Sequence, residues 1–128
     1  MTGRLLRASE EEQGFVYAIK CEDYVKIGWS KTVQRRLNQI SANNPFPVEL
    51  LGCSPGTVGD EHELHLLLGI TRVKGEWFGR TPFVKEVVRH LIKAEKASDT
   101  VDWLDKKVTK QRAAVRAKHK ELFGENDE

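Results

Sequence analysis

Two short runs of β-forming residues, separated by a very short link, constrain the fold of this chain more than any other feature. The first run, GFVYAIK, covers residues 14–20, and the second, YVKIG, covers residues 24–28. Glu22 and Asp23 mark a turn, and so short a link joins two antiparallel strands into a hairpin. Because side chains alternate along a strand, Val25 and Ile27 point to one face and Lys26 points to the other. The sequence therefore predicts a β-hairpin with Lys26 on the face opposite Val25 and Ile27.

A helix and a third strand are predicted after the hairpin. The segment SKTVQRRLNQI, residues 30–40, has Ser30 or Thr32 as its N-cap, and its apolar residues recur at helical spacing. The sequence NNPFP, residues 43–47, ends this helix. VELLGCS, residues 48–54, is then predicted to be a strand that Pro55 and Gly56 close.

Two further helices follow the third strand. Thr57 and Asp60 have the spacing of a capping box, and they introduce a helix over residues 61–68. GEWFGR, residues 75–80, is a short extended piece. Thr81 and Pro82 open the next helix, since the missing N–H of proline costs nothing at that position. The residues that this helix is predicted to bury are Phe83, Val84, Val87, Val88, Leu91 and Ile92.

Beyond Ala97 the sequence predicts a long, basic, amphipathic helix. Between residues 101 and 120 there are seven Lys or Arg and only two Asp. Apolar residues keep a seven-residue rhythm that is typical of an amphipathic helix, but Gln111 and Lys118 occupy the two remaining apolar positions. The apolar residues of this rhythm are Val101, Leu104, Val108, Val115 and Leu122.

Together these elements predict an α/β (α+β) fold. The expected architecture is a small, mainly antiparallel, three-stranded sheet flanked by helices and followed by a C-terminal helical extension. The predicted organisation is a flexible N-terminal lead over residues 1–13, a folded domain over residues 14–97, and a basic helix with an acidic tail over residues 98–128.

The composition excludes several classes of protein. With 21 basic and 19 acidic residues the net charge is only +2, so any affinity for nucleic acid must come from local clusters of charge. No apolar run approaches the roughly 20 residues of a membrane helix, and residues 1–13 lack the apolar core of a signal peptide. Cys21 and Cys53 lack C-x-x-C spacing, so reduced thiols are expected. These observations predict a cytoplasmic protein without a membrane partner or a small-molecule cofactor.

The stretch DEHELH, residues 60–65, concentrates three carboxylates and two imidazoles. A zinc-protease helix requires H-E-x-x-H, so that two histidines four residues apart reach the metal from one face. Here His62 and His65 are three residues apart, and Leu66 occupies the fourth position after His62. The spacing therefore excludes a site of the zinc-protease type.

Six short motifs, taken in order, give the chain a family resemblance. They are Gly14-Phe15-Val16-Tyr17, Val25-Lys26-Ile27-Gly28, Arg36-Leu37, Asn44-Pro45, Glu61-x-x-Leu64-His65 and Gly75-Glu76-Trp77-Phe78. This combination resembles the GIY-YIG nuclease family, in the branch common in phages and mobile elements that reads V-K-I-G. The resemblance runs from Gly14 to Leu91, which is 78 of the 128 residues. It implies a GIY-YIG-like fold and a metal-dependent endonuclease that hydrolyses phosphodiester bonds of DNA with one Mg²⁺ or Mn²⁺ ion.

The resemblance also implies roles for three residues. Tyr17 would act as the base toward water or position it, Arg36 would stabilise the charged phosphate, and Glu61 would be the single metal ligand. These roles suit the reaction, because phosphodiester hydrolysis needs a positioned nucleophile, a cation on the phosphate oxygens and a Lewis acid. Magnesium is held by one or two carboxylates together with water and substrate oxygens, so one glutamate is enough.

Lys26 and His65 complete the set of candidate catalytic residues. Lys26 replaces the second tyrosine of the family, and we expect its ammonium group to lower the pKa of Tyr17 and favour the phenolate. It could also contact a phosphate. His65 lies one helical turn after Glu61 and either orients the site, contacts a phosphate, or is a structural histidine with a satisfied ring.

DNA is the predicted partner, and its contacts are expected from basic residues outside the catalytic set. These are Lys31, Arg35, Lys106, Lys107, Lys110, Arg112 and Arg116. A second interpretation of the C-terminal helix is that its apolar residues pack onto the domain or onto a second copy. The chain is accordingly expected to be a monomer or a weak homodimer through this helix.

Two alternatives to an endonuclease come from different classes of protein. The first is a DNA-binding module that kept the fold and lost efficient cleavage, which the presence of Lys26 favours. The second is a scaffold or oligomer-forming protein, which rests on the seven-residue rhythm of the C-terminal helix.

Overall fold

The structure is a computed structural model that describes residues 11–124, apart from the side chain of Ile70. Residues 1–10 of the predicted N-terminal lead and residues 125–128 of the predicted acidic tail lie outside the described residues. The elements, in chain order, are β1 (Gln13–Cys21), β2 (Tyr24–Ser30), α1 (Val33–Ala42), β3 (Glu49–Thr57), α2 (Val58–Leu67), a 3₁₀ turn (Gly69–Thr71), β4 (Arg72–Lys74), β5 (Trp77–Gly79), α3 (Pro82–Lys93) and α4 (Ala97–Phe123).

The α+β class is confirmed, but the prediction of three strands is wrong. The sheet has five antiparallel strands in the order β3-β1-β2-β5-β4. The segment taken as a short extended piece forms a small hairpin with the residues before it, and Gly75 turns the chain with a φ of 57°. Each of these two strands has three residues, which is too short for an alternating pattern to be visible in the sequence.

The hairpin of β1 and β2 is the centre of the sheet, and its predicted alternation is confirmed. Tyr17 is paired with Gly28 and Ile19 with Lys26, so these four residues share one face. Val25 and Ile27 lie on the other face and are fully buried. The turn at Glu22 has a positive φ of 55°, an uncommon conformation for a residue other than glycine.

β3 extends further than the sequence predicted. It continues through Pro55 and Gly56 to Thr57 and pairs with β1 along this length. Proline is tolerated there because β3 is an edge strand, whose outer N–H groups need no partner in the sheet. The expectation that Pro55 and Gly56 close the strand is therefore wrong.

The hydrophobic core lies between one face of the sheet and helices α2, α3 and α4. Its buried residues include Val16, Ala18, Phe78, Leu64 and Leu91. The predicted capping box at the start of α2 is present, with reciprocal hydrogen bonds between Thr57 and Asp60. Helix α3 buries four of its six predicted apolar residues fully, but Ile92 is exposed. Helix α1 packs against β1 and β2 on the opposite face of the sheet.

The long helix predicted beyond Ala97 is present as α4, and its two halves differ. In the first half Thr100 and Leu104 are fully buried, and the helix packs against α2, α3 and β3. In the second half Val115 and Leu122 are exposed. Within the part of the chain that the structure describes, no helix is long and apolar enough to cross a membrane. Cys21 and Cys53 are free thiols, as predicted.

Candidate functional site

The candidate site lies beside the first residue of β5, Trp77, beyond which one edge of β2 has no neighbouring strand. β5 pairs with β2 only from Tyr24 to Lys26. At the next residue, the N–H of Ile27 donates to the Glu76 carbonyl at 3.1 Å, and the Ile27 carbonyl accepts from His65 Nε2 at 2.7 Å. The histidine on α2 thus takes the hydrogen bond that a longer β5 would have made. This bond fixes α2 against the edge of the sheet.

Tyr17 lies across Gly28 on the face of the sheet opposite the core. A Cβ atom added at Gly28 would lie 2.4 Å from Tyr17 Oη and 3.1 Å from Glu76 Oε1. Only glycine therefore leaves room for the phenol ring and for the Glu76 carboxylate next to it. Tyr17 is fully buried, and among residues 11–124 its hydroxyl group makes no hydrogen bond. A buried polar group without a partner costs about 1–3 kcal/mol, so this hydroxyl is a candidate contact for a bound group.

Lys26 and Glu76 form the closest ion pair of the site. Their Nζ and Oε1 atoms are 2.8 Å apart, and the Lys26 ammonium also lies 5.7 Å from the centre of the Trp77 ring. Glu76 is a site residue that the sequence analysis did not select. It was visible as the only acidic residue of the Gly75–Phe78 motif, but its position beside Lys26 follows from the pairing of β5 with β2, which the sequence did not reveal.

Glu61 is a buried carboxylate with an elevated pKa. It is 5% exposed, and burial together with the neighbouring Glu76 carboxylate raises its pKa from 4.5 to about 8. The positive charges of Lys26 and Arg36 oppose this shift only in part. His65 Nε2 lies 4.0 Å from one oxygen of Glu61, and His62 Nε2 lies 3.8 Å from the other. At neutral pH the Glu61 carboxyl group therefore holds a proton unless a cation takes its place.

The pKa of Tyr17 is raised to about 12, which contradicts the prediction that Lys26 favours the phenolate. Burial is the main cause, and the negative charge of Glu76 adds to it. Lys26 cannot act as predicted, because its charge is offset by its ion pair with Glu76. Arg36 lies close enough to lower the pKa of Tyr17, but burial and Glu76 outweigh this effect. The phenol oxygen makes no hydrogen bond with residues 11–124. Tyr17 is accordingly a neutral phenol at neutral pH.

His65 has a satisfied ring, which corresponds to the structural alternative. A carbonyl oxygen can only accept, so Nε2 carries the proton that binds Ile27. Burial lowers the pKa of His65, which keeps the imidazole neutral, and its ring lies 5.2 Å from that of Phe78. The residue thus holds α2, and with it Glu61, against β2.

The structure brings the five predicted catalytic residues together but not the predicted DNA contacts. Tyr17, Lys26, Arg36, Glu61 and His65 surround the open edge of β2, and Arg36 reaches the site from the exposed surface of α1. Lys31 forms an ion pair with Glu12, and Arg35 is exposed next to Arg36. The basic residues of α4 lie on a helix that packs against α2, α3 and β3, and Lys107 is paired with Glu86 at 3.6 Å.

The donor atoms of the site fit a hard divalent cation better than zinc. Over the described part of the chain, no group of three or more His, Cys, Asp or Glu side chains converges as a metal site. Glu61 and Glu76 supply oxygen atoms, and the unpartnered Tyr17 hydroxyl lies beside them. Two carboxylates suffice for Mg²⁺ or Mn²⁺ when water and substrate oxygens complete the coordination, whereas zinc requires three or four protein ligands.

Comparison with models of protein families assigns the chain to one family. The family model for the T5orf172 domain matches residues 14–105, which contain the sheet from the second residue of β1 onward, α1, α2, α3 and the packed start of α4. The chain belongs to the T5orf172 domain family. Comparisons with curated proteins and with solved structures gave no match. The T5orf172 domain is a family of nuclease-like and DNA-binding domains, so the function of this chain is related to DNA.

The resemblance to the GIY-YIG family is wrong, because the T5orf172 domain is a different family. The expected placement in a phage and mobile-element branch of the GIY-YIG family has no support either. Each of the six motifs is only two to five residues long, and a strand tyrosine, a strand-end glycine and a helix glutamate recur in many unrelated α+β folds. The proximity of Tyr17, Arg36 and Glu61 stands on the geometry described above and does not depend on that resemblance.

Substitution of Gly28 by alanine tests the packing of Tyr17. We expect Gly28→Ala to lower the free energy of unfolding by about 1–3 kcal/mol, because the new methyl group would displace the phenol ring. Gly69→Ala is the matched control, since nothing lies within 4 Å of a Cβ atom at Gly69. Urea unfolding followed by circular dichroism measures both. Equal effects of the two substitutions would show that Tyr17 does not lie against Gly28.

Substitution of Glu61 by glutamine tests the elevated pKa. Between pH 4.5 and about 8 the folded protein holds a proton on Glu61 that the unfolded chain has lost, so the stability of the wild type falls as the pH rises through this window. Glu61→Gln cannot titrate, and its stability relative to the wild type should increase from pH 5 to pH 8. Urea unfolding at both pH values, with EDTA present, measures the difference. Glu63→Gln, an exposed site on the same helix, should leave the pH dependence unchanged, and a pH-independent effect of Glu61→Gln would contradict the assignment.

Proposed function

We propose that this T5orf172 domain is a metal-dependent endonuclease that hydrolyses a phosphodiester bond of DNA. The observation that carries the proposal is the buried Tyr17 hydroxyl, which lacks a partner among the described residues and is surrounded by Lys26, Arg36, Glu61 and Glu76. Such a combination of cations, carboxylates and an unused donor suits a phosphate group with its attacking water. In a site with only a structural role, an unsatisfied hydroxyl next to two carboxylates would lower the stability of the fold without any compensating contact.

The residues divide the work of hydrolysis among them. Glu61 and Glu76 would hold one Mg²⁺ or Mn²⁺ ion, and a bound ion supplies Lewis-acid stabilisation of the charge on the phosphate and on the leaving oxygen. Arg36 enters from the solvent side and contacts the phosphate through charge-assisted hydrogen bonds. Tyr17, as a neutral phenol, donates a hydrogen bond that orients the phosphate or the attacking water. Lys26 fixes the Glu76 carboxylate and leaves it oriented toward Gly28.

The protonation state of Glu61 makes cation binding at the site depend on pH. Glu61 holds a proton at neutral pH in the metal-free protein, and binding a cation requires its carboxylate form. Metal binding therefore releases a proton, and the affinity for Mg²⁺ should rise with pH up to about 8. His65 contributes by position only, since its proton is engaged by the Ile27 carbonyl.

The second candidate is a DNA-binding module of the same family without efficient cleavage. It is favoured by the 2.8 Å pair of Lys26 with Glu76, which ties up one of the two carboxylates that would hold the cation. In this alternative Arg36 and Lys26 contact phosphate groups of DNA, and Tyr17 only fills the space above Gly28.

Cleavage of supercoiled plasmid separates the two candidates. The wild type should nick or linearise the plasmid in Mg²⁺ or Mn²⁺ and not in EDTA, and Glu61→Gln should abolish cleavage. Tyr17→Phe and Arg36→Ala should each lower the rate by about two to four orders of magnitude. Arg35→Ala, the neighbouring exposed arginine, is the control for Arg36→Ala. Wild-type protein that binds DNA but does not cut it in either metal would establish the binding module.

The exposed half of α4 is proposed to extend the DNA contact. Arg112 and Arg116 are exposed there, whereas the first half of the helix belongs to the core through Leu104. Removing only the charges is therefore a cleaner test than truncation. Each phosphate contact adds about 0.9 to the slope of log K against log salt.

We expect the double variant Arg112→Gln, Arg116→Gln to bind duplex DNA more weakly and to lower the salt slope by about 1–2. The control is Lys85→Gln, Arg89→Gln, which removes the same charge from exposed positions of α3. Fluorescence anisotropy over a series of salt concentrations measures both slopes. Identical slopes would exclude α4 from the DNA contact. A concentration-dependent mass in sedimentation, lost on Val115→Ser, would instead assign this helix to a weak homodimer.

A further inference from the structure

A small pocket with aromatic walls lies next to the candidate site on the same face of the sheet. Its volume is about 300 Å³, at the lower end of the range for small-ligand pockets. Its walls include Cys21, Tyr24, Asn44, Phe46, Val73 and Trp77, and Glu22 and Lys74 add one negative and one positive charge. Tyr24, Phe46 and Val73 are all exposed, and no role in folding accounts for three large apolar side chains around one opening.

Trp77 belongs to both the pocket and the candidate site. Its ring lies 5.7 Å from Lys26 Nζ, and Lys26 is paired with Trp77 across the sheet. Tyr24 precedes Lys26 by two residues on β2, which is about 6.6 Å along a strand, and its side chain is on the same face. The pocket therefore adjoins the Lys26 end of the candidate site, and Tyr24 lies about 13 Å along β2 from Gly28, where Tyr17 packs.

Phe46 is held in place by its own loop. It lies between two prolines, Pro45 and Pro47, and its N–H donates to Asn44 Oδ1 at 3.1 Å. The Cys21 thiol donates to the same oxygen at 3.6 Å. These bonds fix the orientation of the Asn44 amide, whose Nδ2 group makes no hydrogen bond within residues 11–124 and remains available to a ligand. Lys74, also at the rim, forms no ion pair within that range and provides a cation for a neighbouring phosphate.

Three aromatic rings, a free amide donor and a rim lysine next to a phosphate site suit one planar, polar-edged ring on a phosphate backbone. We propose that this pocket, formed by Tyr24, Phe46 and Trp77, holds one unstacked nucleobase of the DNA strand that is bound at the candidate site. Aromatic side chains stack on bases irrespective of sequence, but only a base outside the duplex can reach them. The inference rests on the proposed function and narrows its substrate to DNA with an unpaired or single-stranded nucleotide at the site.

Fluorescence of 2-aminopurine tests the pocket without any cleavage. The probe is a short duplex with a single unpaired 2-aminopurine, the comparison is the fully paired duplex of the same sequence, and EDTA is present throughout. We expect the wild type to quench the unpaired base and to bind the bulged duplex roughly 5- to 150-fold more tightly than the paired one. Phe46→Ala should remove both the quenching and the preference, and Phe46→Trp should restore them.

The matched control is Phe123→Ala, an exposed phenylalanine at the end of α4 and outside the pocket. Phe46 is 54% exposed and Phe123 is 68% exposed, so neither substitution should alter the thermal unfolding midpoint by more than a few degrees. Equal affinity of the wild type for bulged and paired DNA, or equal behaviour of Phe46→Ala and Phe123→Ala, would overturn the inference. Plasmid cleavage with normal binding by Phe46→Ala would refute the pocket alone, whereas quenching without cleavage in any metal would refute hydrolysis and leave the pocket standing.

Discussion

The hydrogen bond from His65 to the Ile27 carbonyl is the contact on which the candidate site depends. β2 is an interior strand along Tyr24–Lys26, where β5 pairs with it, and becomes an open edge one residue later. An unpaired strand edge in a protein interior would leave a carbonyl unsatisfied. The imidazole satisfies it from a helix instead of a strand, and α2 is thereby held at a fixed distance from Gly28. Together with the core packing of Leu64, this bond sets the position of Glu61 relative to Tyr17.

The site concentrates groups that are unfavourable in isolation. Glu61 is buried next to Glu76, and Tyr17 is buried with a hydroxyl that has no partner among residues 11–124. The pair of Lys26 with Glu76 offsets part of the charge, and the remainder appears as the raised pKa values of Glu61 and Tyr17. Elevated pKa values that have burial and a like charge as their causes are found at functional sites more than elsewhere. The energetic cost is the physical reason to expect a cation and a phosphate here.

Sequence reasoning anticipated which side chains lie together better than it anticipated their ionisation states. Lys26 was predicted to lie on the face opposite Val25 and Ile27, because side chains alternate along a strand, and the structure confirms this; the pairing of the two strands then puts Tyr17 on the face of Lys26. The state of Tyr17 was predicted wrongly, since the partner of Lys26 is Glu76, fifty residues away in the chain. The wrong number of predicted strands has a similar cause, namely pairing between segments that are distant in the sequence. β4 and β5 have three residues each, and only the pairing of β5 with β2 and of β4 with β5 makes them strands.

The sequence by itself determined the hairpin, the helix starts at Thr57 and Thr81, and the long helix after Ala97, because turn chemistry, capping and periodicity are local properties of the chain. The tertiary structure decided which side chains from distant segments lie next to each other. It placed the Glu76 carboxylate against Lys26 and turned His65 from a candidate catalyst into an anchor. Charge, burial and hydrogen bonding between distant segments depend on packing, and a pKa is set by those neighbours rather than by the residue type.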